Sequence, residues 1–245
     1  MLTAVALAAA LGFQAGRGPA KRSGRGRTPV TAAGEDTHAG GPLSARQGET
    51  PVVPTLSPPL ASAALARLGT LSDGDRAPRE GYRRDAFGPR WADVDRNGCD
   101  TRNDILRRDL ADAETKPGSR GCVVTSGRLL DPYTGVELAF DKARAAEVQI
   151  DHVVSLSNAW QTGAQSLSPE ARTSLANDPL NLLAVDGPTN ETKGDGDAAE
   201  WLTPNPAFRC ELVARQVEVK ARYGLWVTRA ERAAMERVLE TCIRF

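Results

Sequence analysis

Of the 245 residues two are histidines, His38 and His152, and their surroundings differ. His38 lies in a Gly-, Thr- and Ala-rich stretch with no apolar period, whereas His152 directly follows Asp151 in the β-branched run Val148-Gln-Ile-Asp-His-Val-Val154. A neutral imidazole is a suitable general base near neutral pH. The neighbouring carboxylate offers hard oxygens to a divalent cation. Downstream, Asn181 and Asn190 stand nine residues apart, and Lys193 follows three residues later. A base, a carboxylate, two amides and an ammonium group form a set able to deprotonate a water and offset charge on an anionic ester.

Taken singly, these residues have ordinary structural readings. A His after an Asp at a strand end is more often a hydrogen-bonding residue than a catalyst. Asn181 before Leu-Leu reads as a turn residue, and Asn190 with Lys193 as a helix start. Their joint spacing shifts the balance, because it resembles the motif of HNH (ββα-metal) nucleases. There the first strand ends in an acidic residue or His followed by His, as at Asp151-His152. The second strand begins at an Asn, matched by Asn181, and a helix then supplies His or Asn with Lys three residues on, matched by Asn190 and Lys193. Many members carry Cys where Asp186 and Thr189 stand here, as half of a structural zinc site. The chain therefore resembles a zinc-free HNN variant.

Further segments sharpen the resemblance. Asp151-His-Val-Val-x-Leu, Ala159-Trp160-x-Thr-Gly163-Ala, Ala176-Asn-Asp-Pro-x-Asn181-Leu, Lys193-Gly-Asp and Trp201-Leu-x-Pro204 are ordered as in a secreted bacterial HNH family. That family is related to the C-terminal nuclease domain of the GmrSD restriction enzymes, and the resemblance covers roughly residues 85–245. It implies an α+β fold, mostly helical, around a ββα-metal hairpin-plus-helix unit. It implies His152 as general base, Asn181 holding the loop or the imidazole, and Lys193 touching a phosphate. Asp151 and Asn190 would hold a divalent ion, Mg²⁺ or alternatively Mn²⁺, with no structural zinc. The implied reaction is hydrolysis of DNA, with RNA as the alternative substrate and a catalytically silent exported binding protein as the alternative class. Glu147, Asp178, Asp186, Asp195 and Asp197 are further acidic candidates, read chiefly as turn or cap residues. Trp160 and Trp201 read first as core, second as stacking platforms for bases.

The elements that must position these groups follow from periodicity and punctuation. Asp93-Val-Asp-Arg-Asn-Gly-Cys-Asp100 has the alternating oxygens of a calcium loop but Asp104 at the twelfth position instead of Glu, so an Asx-rich turn is the better reading. A helix is expected over Thr101–Ala113, and a hairpin whose arms flank Asp131-Pro-Tyr133. A strand over 148–154 and a short one over 180–185 bracket a helix from Ser168 with Pro169 in its first turn. Thr189 or Asn190 opens the ligand-bearing helix. Two amphipathic helices, 205–223 and 228–242, close the chain, the second with the capping box Thr228-Arg-Ala-Glu231.

Composition bounds the rest. With 31 basic and 31 acidic residues the formal charge is zero, so no global basic field exists and phosphate contacts must be local. No GxSxG or comparable nucleophile motif appears. The first 16 residues, MLTAVALAAALGFQAG, read as a secretory signal, and 17–80, rich in Pro, Gly and Arg, as a flexible linker with a short helix near 60–70. The nuclease-like domain is expected over 81–245, with its motif core at 148–201. Cys99, Cys122, Cys210 and Cys242 contain no CxxC pair. In an exported chain an even count reads as disulfides. Of the three pairings, Cys99–Cys122 with Cys210–Cys242 keeps each bond local. An extracellular monomer, with no membrane attachment in its mature form, is the resulting expectation.

Overall fold

The computed structural model describes residues 56–244; the expected signal (1–16), His38 and the linker up to residue 55 lie outside the described residues. The central device is a two-stranded antiparallel sheet. In chain order the elements are α1 (Pro58–Leu68), α2 (Thr101–Asp109), β1 (Ala111–Thr115), β2 (Val124–Leu130), β3 (Glu137–Asp141), β4 (Val148–His152), α3 (Leu156–Gln161), α4 (Pro169–Asn177), β5 (Leu182–Asp186), α5 (Gly187–Lys193), α6 (Arg209–Tyr223) and α7 (Arg229–Ile243). The central pair is β4 with β5, in register from Val148 opposite Asp186 to His152 opposite Leu182. Strands β1, β2 and β3 form a separate antiparallel meander.

Alternation along β4 separates two jobs. Val148 and Ile150 point into a core shared with Ile105, Leu106, Leu129, Phe140, Leu182 and Ala184, which joins the β4–β5 pair to α2 and the meander. Gln149 and Asp151 point the other way, toward α5: Asn190 donates to Gln149 and Lys193 to Asp151. On that side Leu183 and Val185 meet a second core with Leu156, Ala159, Leu175, Phe208 and Leu212. A third cluster, with Leu68, Val213, Val217, Met235 and Leu239, binds α1, α6 and α7.

The local signals hold at most helix starts. Ser168 accepts from Ala171 N–H with Pro169 in the first turn of α4, and both halves of the Thr228/Glu231 capping box form at α7. Disulfides join Cys99 to Cys122 and Cys210 to Cys242, as locality suggested. The 93–100 loop is an Asx-turn system: Asp93 accepts from the Asn97 and Gly98 N–H groups, and Asp100 caps α2.

Three expectations change. Helix α2 ends at Asp109, not Ala113, and Ala111–Thr115 is an edge strand on β2. The helix stops because its last side chains are tied to β5: Arg108 donates to the Leu182 and Pro179 carbonyls, and the Asp109 carboxylate accepts from Ala184 N–H. Helix α5 opens at Gly187, ahead of Thr189 and Asn190, because the Asp186 carboxylate caps it through Thr189 N–H. The boundary at 81 falls inside the packed unit, since Ala61 and Leu68 of α1 are fully buried. Apolar residues at helical spacing in 60–70 carried enough area to dock against α6 and α7.

Candidate active site

The end of β4 places Asp151 and His152 in different environments. Asp151 is 5% exposed, and both its oxygens are engaged. Oδ1 accepts from Lys193 Nζ at 3.0 Å and Oδ2 accepts from the Tyr133 hydroxyl. Tyr133 is fully buried, and burial first, then the Asp151 charge, pushes its hydroxyl pKa well above the usual value. It therefore donates at any ordinary pH. Its ring is held edge-on by Trp201 at 5.0 Å, and its carbonyl accepts from Thr203 Oγ1 and Asn205 N–H. The Trp201-Leu-x-Pro204 segment thus acts by clamping the tyrosine that aims at Asp151.

His152 is half-buried, with its ring stacked on Trp91 at 6.1 Å and 13°. Its Nε2 lies 2.9 Å from the Ala176 carbonyl oxygen on α4. A carbonyl can only accept, so the proton of the neutral ring sits on Nε2 and the lone pair on Nδ1. Nδ1 has no hydrogen-bond partner among the described residues. Burial lowers the pKa of His152 to about 3, opposed by the Ala176 bond and reinforced by the Arg84 and Lys193 charges. The ring is thus unprotonated at neutral pH, with the lone pair on Nδ1 free.

The remaining motif residues divide by burial. Asn181 is fully buried and ties the loop after β4: its Oδ1 accepts from Val154 N–H at 2.9 Å, and its Nδ2 donates to the Val154 and Leu175 carbonyls. Gln216 of α6 adds a bond to the Val153 carbonyl. Asn181 has no surface to offer a ligand. Asn190 is half-buried; its Nδ2 donates to Gln149 Oε1 at 2.9 Å, leaving Oδ1 without a partner among the described residues. Lys193 departs from its expected role. Its side chain is fully buried, and Nζ is shared between Asp151 and the His152 carbonyl at 2.9 Å, so it braces the strand end and reaches no external phosphate.

The other acidic candidates are engaged elsewhere. Asp178 accepts from Arg222 and the Tyr223 hydroxyl, Asp195 from Ser157, Asp197 from Arg76, and Glu147 from Arg144. Asp186 accepts from the Thr189 hydroxyl at 2.6 Å. Asp186 and Thr189 thus form the cap of α5. Trp160 packs with Tyr82 and Phe87 and Trp201 with Tyr133, the core reading of both.

The donors that could face a divalent ion are Asp151, whose oxygens each keep a lone pair beyond their hydrogen bond, and the open Asn190 Oδ1. One carboxylate and one amide are hard oxygen donors, which fits an ion that retains most of its waters. Among the described residues no group of three or more His, Cys, Asp or Glu could hold a metal. Sequence reasoning missed Tyr133, Gln149, Trp91 and the Ala176 carbonyl. Tyr133 carried a faint signal, as an aromatic in a turn that has no need of one; the backbone carbonyl carried none.

These features describe a mixed helix–sheet protein with one free imidazole base beside a braced, buried carboxylate. Residues 100–238 match the family model of the C-terminal domain of GmrSD restriction endonucleases, and the chain belongs to that family. The family implies a nuclease-type enzyme with nucleic acid as its substrate. Over 186 residues the chain is also 39% identical to an "Uncharacterized secreted protein" of Arthroderma benhamiae, covering 75% of this chain and 87% of the relative. No solved structure matches.

Proposed function

We propose that this protein is an exported endonuclease that hydrolyses phosphodiester bonds in DNA, with His152 Nδ1 as the general base. The observation that carries the reading is the fixed tautomer: the Ala176 carbonyl holds the Nε2 proton, so the free nitrogen of the ring is basic. A water beside Nδ1 gives up a proton to it, the water oxygen bonds to phosphorus, and the phosphorus–3′ oxygen bond breaks, the departing oxygen taking a proton from solvent. General-base assistance of this kind contributes about 10²–10⁴-fold. Asp151 and Asn190 are the side chains that would hold a divalent ion, Mg²⁺ in preference to Mn²⁺. When bound, such an ion offsets charge growing on the phosphate and the leaving oxygen. The β4–β5 pair followed by α5 then corresponds to the ββα-metal unit. Asn181, Tyr133 and Lys193 set the geometry and touch no substrate.

Export is supported by the two disulfides, by the apolar N-terminal stretch and by the likeness to a secreted protein of Arthroderma benhamiae. Among the described residues no helix is long and apolar enough to cross a membrane. The test is digestion of plasmid DNA and of RNA by the purified protein, with EDTA and with Mg²⁺, Mn²⁺, Ca²⁺ or Zn²⁺ added back. Cleavage of DNA that EDTA abolishes and Mg²⁺ restores supports the reading. Preferential loss of RNA moves the substrate to the alternative, and intact nucleic acid under every condition removes the reading altogether.

A further inference from the structure

Beside His152 lies a group of cations that the reading above does not use. The segment before the 93–100 loop carries Arg83, Arg84 and Arg90, and a cleft of about 460 Å³ is lined by these three with Asp85, Gly88 and Pro89. Arg83 is the one paired with Asp85, at 3.4 Å, and both are mostly exposed. Neither Arg84 nor Arg90 makes an ion pair among the described residues. Arg84 is half-buried, and its Nη1 is shut off from water with no hydrogen-bond partner. A guanidinium donor in that condition costs free energy until an acceptor reaches it.

The fold places this cleft against the imidazole by two routes. Trp91, the residue after Arg90, stacks on the His152 ring, and it does so with a left-handed backbone (φ 57°) that a tryptophan rarely adopts. Helix α4 holds the segment a turn away from the histidine. Ala176 grips His152, while Arg172 donates to the Ala86 carbonyl and Thr173 lies against Gly88, where a Cβ would come within 2.3 Å of its hydroxyl. Phe87, fully buried and packed against the half-buried Tyr82 and Trp160, anchors the segment. One helix therefore fixes both the base and the arginine cleft.

We infer that Arg84 and Arg90 form a phosphate-binding subsite, which takes a backbone phosphate of the nucleic acid next to His152. Planar guanidinium groups bind phosphate oxygens through paired N–H donors. With a formal charge of zero for the whole chain, a local subsite supplies the phosphate contact that a global basic field does not. The inference rests on the nuclease reading for the nature of its ligand, but its test does not depend on cleavage.

The experiment compares the full-length protein with Arg84→Ala, Arg84→Lys, Arg90→Ala and, as a remote control, Arg237→Ala. The first readout is the thermal shift on adding inorganic phosphate at constant ionic strength. The parent and Arg237→Ala should be stabilised by phosphate; Arg84→Ala and Arg90→Ala should lose most of that shift, and Arg84→Lys should keep part of it. The second readout is binding of a short DNA duplex in the His152→Ala background as salt is varied. Each arginine removed should weaken binding and lower the salt slope by about one phosphate contact. Arg90 is exposed, so a folding defect at Arg84 leaves the Arg90 result decisive. A phosphate shift unchanged by both alanine substitutions overturns the subsite, whatever the nuclease assay shows. A phosphate shift lost in both variants, from a parent that cuts no nucleic acid, keeps the anion subsite and removes the nuclease reading instead.

Discussion

Two lysines of this protein are buried completely, and each is paired with a carboxylate at nearly the same distance. Lys193 meets Asp151 at 3.0 Å and Lys220 meets Glu231 at 3.1 Å, with no exposed side-chain surface on either lysine. The pairs differ in what surrounds them. Lys220 also donates to Asn158, Thr162 and the Trp226 carbonyl, and Glu231 completes the α7 capping box. Burial, the largest cause in each case, lowers the Lys220 pKa and raises that of Glu231. That pair is enclosed by the helical core, and the unpartnered donor beside it, Asn158 Nδ2, is shut off from water. Lys193 and Asp151 adjoin two atoms without partners among the described residues, His152 Nδ1 and Asn190 Oδ1. A buried ion pair is therefore no sign of function by itself; what sets the Asp151 pair apart is unused valence on half-buried residues that a ligand can reach.

The largest effect should come from the edge of the Asp151 pair. His152→Ala is expected to lower cleavage about 10²–10⁴-fold while leaving the melting temperature within a few degrees. Retention of more than about a tenth of the parent rate would remove His152 as the base and erase the functional contrast between the two pairs. The contrast should reverse for stability. Glu231→Gln leaves the Lys220 ammonium buried without a counter-charge, which costs about 3–5 kcal/mol. In a domain of this size that lowers the midpoint by about 10 °C. Its cleavage rate, measured well below that midpoint, should stay within about twofold of the parent. A comparable loss of rate would mean the helical pair is coupled to the site after all.

A smaller change separates the partners of the two pairs. Tyr133→Phe removes the hydroxyl that donates to Asp151 and should cost about 1.5–3 kcal/mol, the range for a hydrogen bond to a charged group. Thr162→Val removes one of several donors and acceptors around Lys220 and should cost about 1 kcal/mol. Chemical denaturation measures both. The tyrosine variant alone should also slow cleavage, because Asp151 is then free to turn. Equal effects on rate would show that bracing of Asp151 contributes nothing to the chemistry.

What the sequence disclosed follows the same division. Motif spacing drew attention to His152, Asp151, Asn181 and Asn190, which lie within short, ordered segments around one strand pair and one helix. The caps at Ser168 and Thr228 were legible because each is a local side-chain-to-backbone bond. Tyr133 and Trp91 were not, because they reach the site by tertiary folding of a turn and a loop with no period of their own. The burial of Lys193 was not legible for a related reason. Its place three residues after Asn190 fixes the helix turn it belongs to, but not that the last turn of α5 folds back over β4 and buries it. Helix α1 was underrated because its apolar face has meaning only against α6 and α7.

The smallest predicted effect concerns protons. In the absence of divalent ions, His152 in the folded protein has its pKa lowered to about 3, against an ordinary value near 6.5. Between those values the unfolded chain binds a proton at this ring and the native state does not. Stability should therefore fall as pH drops below about 6.5 and level off only near 3, the sign expected for a base buried in its neutral form. Because the ring is half-buried and not sealed from water, the loss should be a modest part of the protein's total acid sensitivity. Denaturation of the parent and of His152→Gln, each followed from pH 7.5 to 4.5 in EDTA, isolates it. The stability difference between parent and variant should shift in the variant's favour as pH falls. A difference that is constant across the range would mean that His152 titrates normally, so that its free nitrogen is wetter than the stacked, carbonyl-bonded ring implies. Thr162→Val keeps both His152 and Glu231, so its stability difference from the parent should show no such drift between pH 7.5 and 5.5. That absence separates the titration of His152 from a general loosening of the fold in acid.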